Sequence, residues 1–203
     1  MSVLKSFLEK HRTQGQDFTH TGLQPPVKGK FHIPDDVLQE FHACYTDALE
    51  GGFPLSLTER HRDFSPILID LDLLFDQDIG LQRKITSANV DALYKMYMYV
   101  IDNMFGDSVS YDKRDAYIFI KPEPLIHNGN IKDGVHAVFP DLVIKTDIQL
   151  IIRKRVVDMC VNSGLFSAIG CKNSVEDIID ESVVKRNNWL MYGSSKNPPE
   201  NVY

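Results

Sequence analysis

The sequence predicts an α+β fold with an antiparallel sheet that carries helices on one face. Two observations support this class. From residue 67 onward, apolar strand-like stretches and stretches with a helical period follow one another in the order β-α-β-β-α-β. The link between the second and third strands is short and has no helical pattern, which argues against a doubly wound parallel sheet. This order is typical of the split βαβ, or ferredoxin-like, fold, in which the first and third strands are neighbours in the sheet.

The residues before this order predict helices and irregular chain. A short amphipathic helix is predicted over residues 1–12, and the Gly- and Pro-containing segment after it includes a strand near Lys30 to Ile33. Two aspartates after Pro34 can cap the next helix, Val37 to Leu49, in which an apolar residue recurs every four positions until "EGG" ends it.

Six elements make up the β-α-β-β-α-β order. They are strands at Ile67 to Phe75, Ala116 to Lys121 and Val135 to Phe139, helices from about Ser87 to Phe105 and from about Asp147 to Asn162, and an extended stretch around Trp189 to Tyr192. The fold predicts that the first and third strands pair and that the helices cover only one face of the sheet.

The first of these strands, "PILIDLDLLF", contains two acids, Asp70 and Asp72, among apolar residues. Burying carboxylates is costly unless a partner compensates their charge. Residues i and i+2 of a strand point the same way, so the two carboxylates form a pair. Oxygen ligands of this kind suit Mg²⁺ or Mn²⁺. A strand-end turn or a solvated sheet edge is the alternative interpretation of the pair.

Three other segments contain candidate site residues. In "KDGVHAVF", Lys132 and Gly134 precede His136, which the strand order places on the same side of the sheet as the acids. A histidine satisfied in the core or at a strand edge is the alternative. The segment "EDIIDESVVKRNNWLMYGSSK" provides an acid, Asp180, followed by the cations Lys185, Arg186 and Lys196, although a capped helix with a solvated basic turn gives the same pattern.

The segment "LTERHRDF" places Arg60 and Arg62 just before the acidic strand, where they could contact a nucleic-acid phosphate. Ordinary surface charge is the alternative there. A net charge of -6 and a pI near 5.6 give no overall nucleic-acid signature, so any basic surface must be local.

Composition limits the compartment and the class of protein. The 203 residues are 43% hydrophobic and 25% charged, as in ordinary globular proteins. Three scattered cysteines, Cys44, Cys160 and Cys171, fit a reducing compartment better than a disulfide framework. The sequence has no apolar run of roughly 18 residues and no signal peptide, so we expect an intracellular protein without a membrane partner.

The segments "PILIDLDLLF", "KDGVHAVF" and "IIDESVVKRNNWLMYGSSK" resemble, in order and spacing, the three motifs of the archaeo-eukaryotic primase superfamily. These motifs are a hydrophobic strand with Asp-x-Asp, a strand with a small residue two positions before a His, and a hydrophobic segment with an Asp followed by basic residues. The sequence is most similar to the primase part of poxvirus-type helicase-primases of large DNA viruses, and more distantly to primase-polymerases. The resemblance extends from about Thr58 to Lys196.

The resemblance implies a primase catalytic core with an N-terminal αβ lobe at residues 1–62 and an RRM-like (βαββαβ) catalytic lobe at residues 63–203. It further implies that three acids, Asp70, Asp72 and Asp180, form the catalytic set and bind two Mg²⁺ or Mn²⁺ ions. The nucleotide-binding residues that it implies are His136, Lys132, Gly134, Arg186 and Lys196. Gly134 stands where relatives often have Ser.

The implied reaction is template-directed nucleotidyl transfer, in which a 3′ hydroxyl attacks the α-phosphate of the next nucleotide and pyrophosphate leaves. The implied partners are a single-stranded DNA template, nucleoside triphosphates and a helicase domain in cis or in trans, at the site of viral DNA replication in the host cell. The 203 residues contain no GxxxxGK[ST] phosphate loop, so we expect no helicase activity from them. Two alternatives are a metal-dependent nuclease and a non-catalytic RRM-like module that binds single-stranded nucleic acid.

Overall fold

The computed structural model describes residues 2–185 and 187–198. The chain forms two compact units, which are described separately. The first unit comprises the described residues up to His61 together with those from Asn187 to Pro198, and the second begins at Arg62. The C-terminal segment thus groups with the N-terminal residues, whereas the sequence assigned it to the lobe at residues 63–203.

The helices and strands follow in chain order: α1 (Val3–Lys10), β1 (His20–Gly22), β2 (Gly29–Phe31), α2 (Leu38–Glu50), β3 (Leu57–Glu59), β4 (Phe64–Phe75), α3 (Ser87–Phe105), β5 (Tyr117–Ile120), β6 (Leu125–His127), β7 (Asn130–Lys145), α4 (Thr146–Ser163), α5 (Val175–Ile178), α6 (Ser182–Lys185) and β8 (Trp189–Leu190). The predicted α+β class is confirmed. The three longest helices begin within one residue of their predicted starts. None of the helices in the described ranges is both long and apolar enough to cross a membrane.

The first unit contains a four-stranded antiparallel sheet with the order β2-β1-β3-β8. Aromatic side chains of α1, α2 and β2, namely Phe7, Phe41 and Phe31, are buried in its core. The strands β1 and β3 were not predicted, because three residues carry too little alternation to distinguish a strand from a loop.

The prediction of which sheet contains the stretch around Trp189 is wrong. We predicted it as the last strand of the RRM-like lobe, but β8 pairs with β3 of the first unit, with Trp189 opposite Glu59 and Leu190 opposite Thr58. Local sequence can indicate that a segment is extended. The sheet edge that it joins depends on tertiary contacts, which a single-sequence pattern does not contain.

The second unit is built on an antiparallel sheet in which β7 lies between β4 and β5. This is the predicted adjacency of the first and third long strands. However, β7 is much longer than the strand predicted at Val135 to Phe139, because its first residues form a hairpin with β6 and its last residues pair with the start of β4. The two turn residues, Asn128 and Gly129, have φ values of 46° and 75°, as in the tight turns that Asn-Gly favours.

On the free side of β4, where the fourth strand of this sheet was predicted, the described residues form only short contacts with β4. Ile179 forms an isolated antiparallel bridge with Leu71, and the next residue, Asp180, donates its N–H to the Asp70 carbonyl at 2.9 Å. Further along β4, the Asn173 side chain donates to the Asp72 carbonyl at 2.7 Å. The β-α-β-β-α-β order is therefore completed at Ile179, ten residues before the predicted position.

Glycines end the two long helices that pack on this sheet. Gly106, with a φ of 55°, follows α3, and Gly164, with a φ of 66°, follows α4 in the left-handed conformation. At its other end α3 begins with a capping box between Thr86 and Asn89. Both helices were predicted from their helical period, and these local signals agree with the bounds observed.

The two faces of the sheet differ in chemistry. The odd-numbered residues of β4, from Ile67 to Phe75, are buried in a core with side chains of α3 and α4. Even-numbered residues point to the opposite face, because strand side chains alternate. Asp70 and Asp72 lie on that face of β4, and directly paired residues of β7 share it.

Candidate metal and nucleotide site

Five of the predicted site residues lie together on the second unit's sheet, on the face opposite the helices. Asp70 is paired with His136 across the two strands, and Asp72 with Gly134. Lys132 is paired with Leu74, one step further along the same face. The structure therefore has the arrangement that the strand order predicted. It follows directly from the antiparallel register of β4 and β7.

The carboxylate of Asp70 has an unusual environment. Its side chain is 17% exposed, and its Oδ1 atom is buried and accepts no hydrogen bond from the described part of the chain. The Nε2 atom of His136 lies 3.4 Å from this oxygen, which is long for a hydrogen bond. A buried carboxylate oxygen without a donor is costly, so this atom is suited to an additional cationic partner.

The carboxylate of Asp72 already has a cationic partner. Its Oδ1 atom lies 2.8 Å from the Nζ atom of Lys132, in an ion pair whose side chains are 35% and 26% exposed. The two acids therefore differ, although they are only two residues apart: Asp70 is the more buried and lacks a hydrogen-bond donor at Oδ1, while Asp72 is neutralised by a lysine.

The segment from Lys132 to Gly134 is anchored by an ion pair that the sequence analysis did not identify. The carboxylate of Asp133 is fully buried and accepts two hydrogen bonds from Arg83, at 2.9 and 3.0 Å. It also accepts the Gly134 N–H at 2.9 Å, at a point of β7 where neither β5 nor β6 provides a paired residue among those described. Arg83 additionally donates to the Lys121 carbonyl at 2.6 Å. The acid in "KDGVH" was visible in the sequence, but its partner lies 50 residues away.

Asp180 is close to the site through its main chain only. Its N–H donates to the Asp70 carbonyl at 2.9 Å, but its carboxylate accepts from Ser182, whose N–H lies 2.9 Å away, at the start of α6. Within the ranges that the structure covers, no three His, Cys, Asp or Glu side chains are grouped as metal ligands. The predicted set of three acids is therefore not assembled in this conformation.

Arg153 on α4 holds the main chain next to Asp180. It is 9% exposed and donates to the carbonyls of Ile179, at 2.7 Å, and Glu176, at 2.6 Å. It also lies 3.5 Å from a carboxylate oxygen of Glu181. We did not predict this residue, because a single arginine in a helix has no sequence signal that distinguishes it from a solvated one.

The other predicted cations that the structure describes are not residues of this sheet. Arg186 lies outside the described residues, and Lys196 is an exposed residue of the first unit. Arg60, also in the first unit, stacks on the ring of Phe18 at 4.8 Å and donates to the Gln16 carbonyl. Arg62 is exposed at the start of the second unit.

Two aromatic residues of β5 share the face of the acids and were not singled out from the sequence. Phe119 is paired with His136, and Tyr117 is paired with Val138 and is 59% exposed. The alternation in "YIFI" is the signal that could have identified them, since residues two apart on a strand share a face. Exposed aromatic side chains on such a sheet can stack on nucleobases.

The two acids fit a hard divalent cation. Carboxylate oxygens are the ligands that Mg²⁺ and Mn²⁺ prefer, and the Oδ1 atom of Asp70, which accepts no hydrogen bond from the described residues, can accept a divalent cation beside the His136 ring. Mg²⁺ is usually held by one or two protein carboxylates together with waters and substrate phosphates. Asp70 and Asp72 alone are therefore a sufficient protein contribution for such an ion.

Comparison with known proteins identifies the family. The family model described as the C962R protein N-terminal AEP domain, where AEP denotes archaeo-eukaryotic primase, matches residues 19–203. The chain belongs to this family. The resemblance drawn from the three motifs is thereby confirmed, and all the predicted site residues lie within the matched range of this primase-type domain.

The primase-type domain is similar to segments of much longer viral proteins. It is 31% identical, over 98% of its length, to "Putative helicase L207/L206" of Acanthamoeba polyphaga mimivirus, and covers 21% of that protein. It is 27% identical, over its whole length, to "Putative helicase 121R" of Invertebrate iridescent virus 3, of which it covers 22%. The identity to "Putative helicase 184R" of Invertebrate iridescent virus 6 is 23%, over 89% of the chain and 20% of that protein. The chain thus spans about a fifth of the length of these relatives.

Proposed function

We propose that this domain is the catalytic part of a DNA primase or primase-polymerase, which makes primers by metal-dependent, template-directed nucleotidyl transfer. Family membership supports a primase-type role. The observation that carries the catalytic proposal is the buried Oδ1 atom of Asp70, which accepts no hydrogen bond from the described residues and lies on one sheet face with Asp72, His136 and Lys132. Two acids, a histidine and a lysine on one face provide both cation ligands and phosphate ligands.

The side chains of this face have separate roles in the proposal. Bound Mg²⁺ or Mn²⁺ would activate the attacking 3′ hydroxyl and stabilise the leaving pyrophosphate. Asp70 and Asp72 hold these ions through their carboxylates. His136 borders Asp70 and donates a hydrogen bond to a phosphate oxygen of the incoming nucleotide. Lys132 balances the charge of the triphosphate, and Gly134 leaves its side of β7 free of a side chain beside Asp72.

Asp180 is the third acid of the proposal. Its main chain is already hydrogen-bonded to Asp70, so rotation of its side chain away from Ser182 is the change that would bring its carboxylate toward the pair. The same rotation leaves the first N–H group of the four-residue α6 without this acceptor. We propose that this exchange accompanies binding of the metal and the nucleotide.

The remaining cations and the partners belong to the same proposal. Arg186 and Lys196 would contact the triphosphate, and Arg60 and Arg62 would contact the template. Because the names of the relatives contain the word helicase, we propose that the domain works with a helicase domain, in cis or in trans, on single-stranded DNA during viral DNA replication.

The test is a primer-synthesis assay with single-stranded template, Mn²⁺ and labelled nucleoside triphosphates. The parent protein should form products longer than one nucleotide, and Asp70→Asn and Asp72→Asn should each abolish them. Asp76→Asn is the matched control, because Asp76 lies just beyond β4, is 63% exposed and pairs with Lys172 outside the site. This variant should synthesise primers as the parent does.

Two results would contradict the proposal. Shortening of the template without synthesis would indicate a metal-dependent nuclease. Single-strand binding that persists in a chelator and in the doubly substituted Asp70→Asn/Asp72→Asn protein, without synthesis by the parent, would indicate an RRM-like binding module. The aromatic pair Tyr117 and Phe119 favours this second candidate, and Tyr117→Ala should then reduce the binding.

A further inference from the structure

The ion pair between Lys132 and Asp72 conflicts with a metal ion at Asp72. The ammonium lies 2.8 Å from Oδ1, and no other ion pair or hydrogen bond to this carboxylate is found in the described ranges. A Mg²⁺ or Mn²⁺ ligand oxygen lies roughly 2.1 Å from its ion. An ion on Oδ1 would thus lie at most about 5 Å from the ammonium, which is the sum of the two distances to this oxygen. Like charges at such a separation repel, so lysine and metal compete for this oxygen.

Lys132 has the flexibility to change partners. Its ammonium is a compact charge with three donors on a four-carbon stem, and 26% of the side chain is exposed. Its main chain is fixed in β7, between β4 and β6, so only the side chain has to move. The charged groups facing this ammonium from the neighbouring strand are Asp72 and, one pair further, Asp70.

A nucleoside triphosphate is a partner to which Lys132 can transfer. It brings phosphate oxygens with more negative charge than one carboxylate, and it reaches this face if Asp70 and Asp72 hold the metal as proposed above. When the ammonium moves to a phosphate, Oδ1 of Asp72 becomes available to the metal. The metal and the triphosphate would then each favour the binding of the other, because coupling between two sites is reciprocal.

We propose that Lys132 is an exchange residue, which neutralises Asp72 in the absence of substrate and transfers to the triphosphate of a nucleotide when metal and nucleotide bind. The inference rests on the proposed function, because it requires metal at Asp70 and Asp72. Loss of the lysine should therefore have two opposite effects: tighter binding of the metal alone and weaker binding of the nucleotide.

The experiment measures Mn²⁺ binding to the full chain by electron paramagnetic resonance, without nucleotide and then with a nonhydrolysable triphosphate analogue. Lys132→Met should bind Mn²⁺ about fivefold more tightly than the parent without nucleotide, a change at the lower end of typical coupling between sites. Equilibrium dialysis should show weaker binding of the analogue to the same variant. Lys132→Arg retains the charge and should remain close to the parent in Mn²⁺ affinity.

Lys172→Met is the matched control. Lys172 forms an ion pair with Asp76 and lies 45% exposed beside the end of β4, so its loss changes the net charge equally without removing a partner of Asp72. This variant should have the parent's Mn²⁺ affinity. If it binds Mn²⁺ as tightly as Lys132→Met does, the effect is one of net charge, and the exchange is refuted.

The outcomes separate the inference from the proposed function. Mn²⁺ binding that is lost in Asp70→Asn and Asp72→Asn supports both, together with a Lys132→Met variant that binds Mn²⁺ more tightly and the triphosphate analogue more weakly than the parent; unchanged binding of the analogue refutes the exchange. The same loss with an unchanged or weaker Lys132→Met variant refutes the exchange and leaves the proposed metal site intact. A third outcome is that neither Asp70→Asn nor Asp72→Asn changes Mn²⁺ binding, whether residue 132 is the parent's lysine or is substituted in Lys132→Met. This outcome refutes the metal site and the exchange together.

Discussion

Loss of Arg83 should strongly destabilise the second unit. The Asp133 carboxylate is fully buried, while Arg83 is 28% exposed and donates two of the three hydrogen bonds that this carboxylate accepts. In Arg83→Met the carboxylate would remain buried with only the Gly134 N–H as a donor. Removing one partner of a buried ion pair costs about 3–5 kcal/mol, because the remaining charge is uncompensated.

Thermal unfolding followed by circular dichroism measures this cost. For a chain of this size a loss of 1 kcal/mol lowers the unfolding midpoint by roughly 2–4 °C, so Arg83→Met should lower it by about 10 °C. Arg155→Met is the matched control, because Arg155 lies exposed on α4. The double variant Arg83→Met/Asp133→Leu should be more stable than Arg83→Met, since an apolar replacement of both partners leaves no unpaired charge.

An Arg83→Met protein whose unfolding midpoint equals that of the Arg155→Met control would refute the stabilising role of the Arg83–Asp133 ion pair. A double variant Arg83→Met/Asp133→Leu that is less stable than Arg83→Met would refute the role assigned to the unpaired charge. In the first case the buried carboxylate would have another source of compensation. In the second, packing around the arginine stem would matter more than its charge.

Three further predictions concern the thiols, the start of α3 and the edge of β4. Burial raises the pKa of the Cys160 and Cys171 thiols to about 12 from the usual value of 9.0. The unfolded chain therefore ionises first, so the free energy of unfolding should fall from pH 9 upward by about 1.4 kcal/mol per pH unit for each thiol. Urea unfolding at several pH values above 9 measures this fall, which should be shallower with pH in Cys171→Ala than in the parent. Thr86→Ala removes the cap of α3 and should cost about 1 kcal/mol in the same assay, whereas an unchanged midpoint would contradict the capping role. Asn173→Ala removes the side chain that bonds the main chain of β4 at Asp72 and should cost about 1–2 kcal/mol and weaken Mn²⁺ binding, while Mn²⁺ affinity equal to the parent's would show that this contact does not position Asp72.

Prediction from the sequence was most successful where the signal is local. Both α3 and α4 have a helical period and a glycine directly after the last residue, and α3 also begins with a capping box, so these signals lie within or next to the segment itself. The hairpin of β6 and β7 was missed although its Asn-Gly turn is a local signal, because the surrounding loop was interpreted as irregular chain.

The placement of Asp70 and Asp72 beside His136 was also predictable, since strand order and alternation determine it once the ferredoxin-like arrangement is assumed. The orientation of the Asp180 carboxylate toward Ser182 was not predictable in this way. It depends on the hydrogen bonds that this carboxylate accepts from Ser182, which the sequence pattern does not specify.

The sequence by itself determined the α+β class, the pair of acids on one strand face and the family, because alternation, capping and motif order are properties of short segments. Only the tertiary structure decided which sheet β8 joins, that Ile179 occupies the fourth strand position, and that Arg83 pairs with the buried carboxylate of Asp133. These features join residues 50 to more than 100 positions apart. Their free energy comes from burial and pairing in the folded chain, to which no local pattern corresponds.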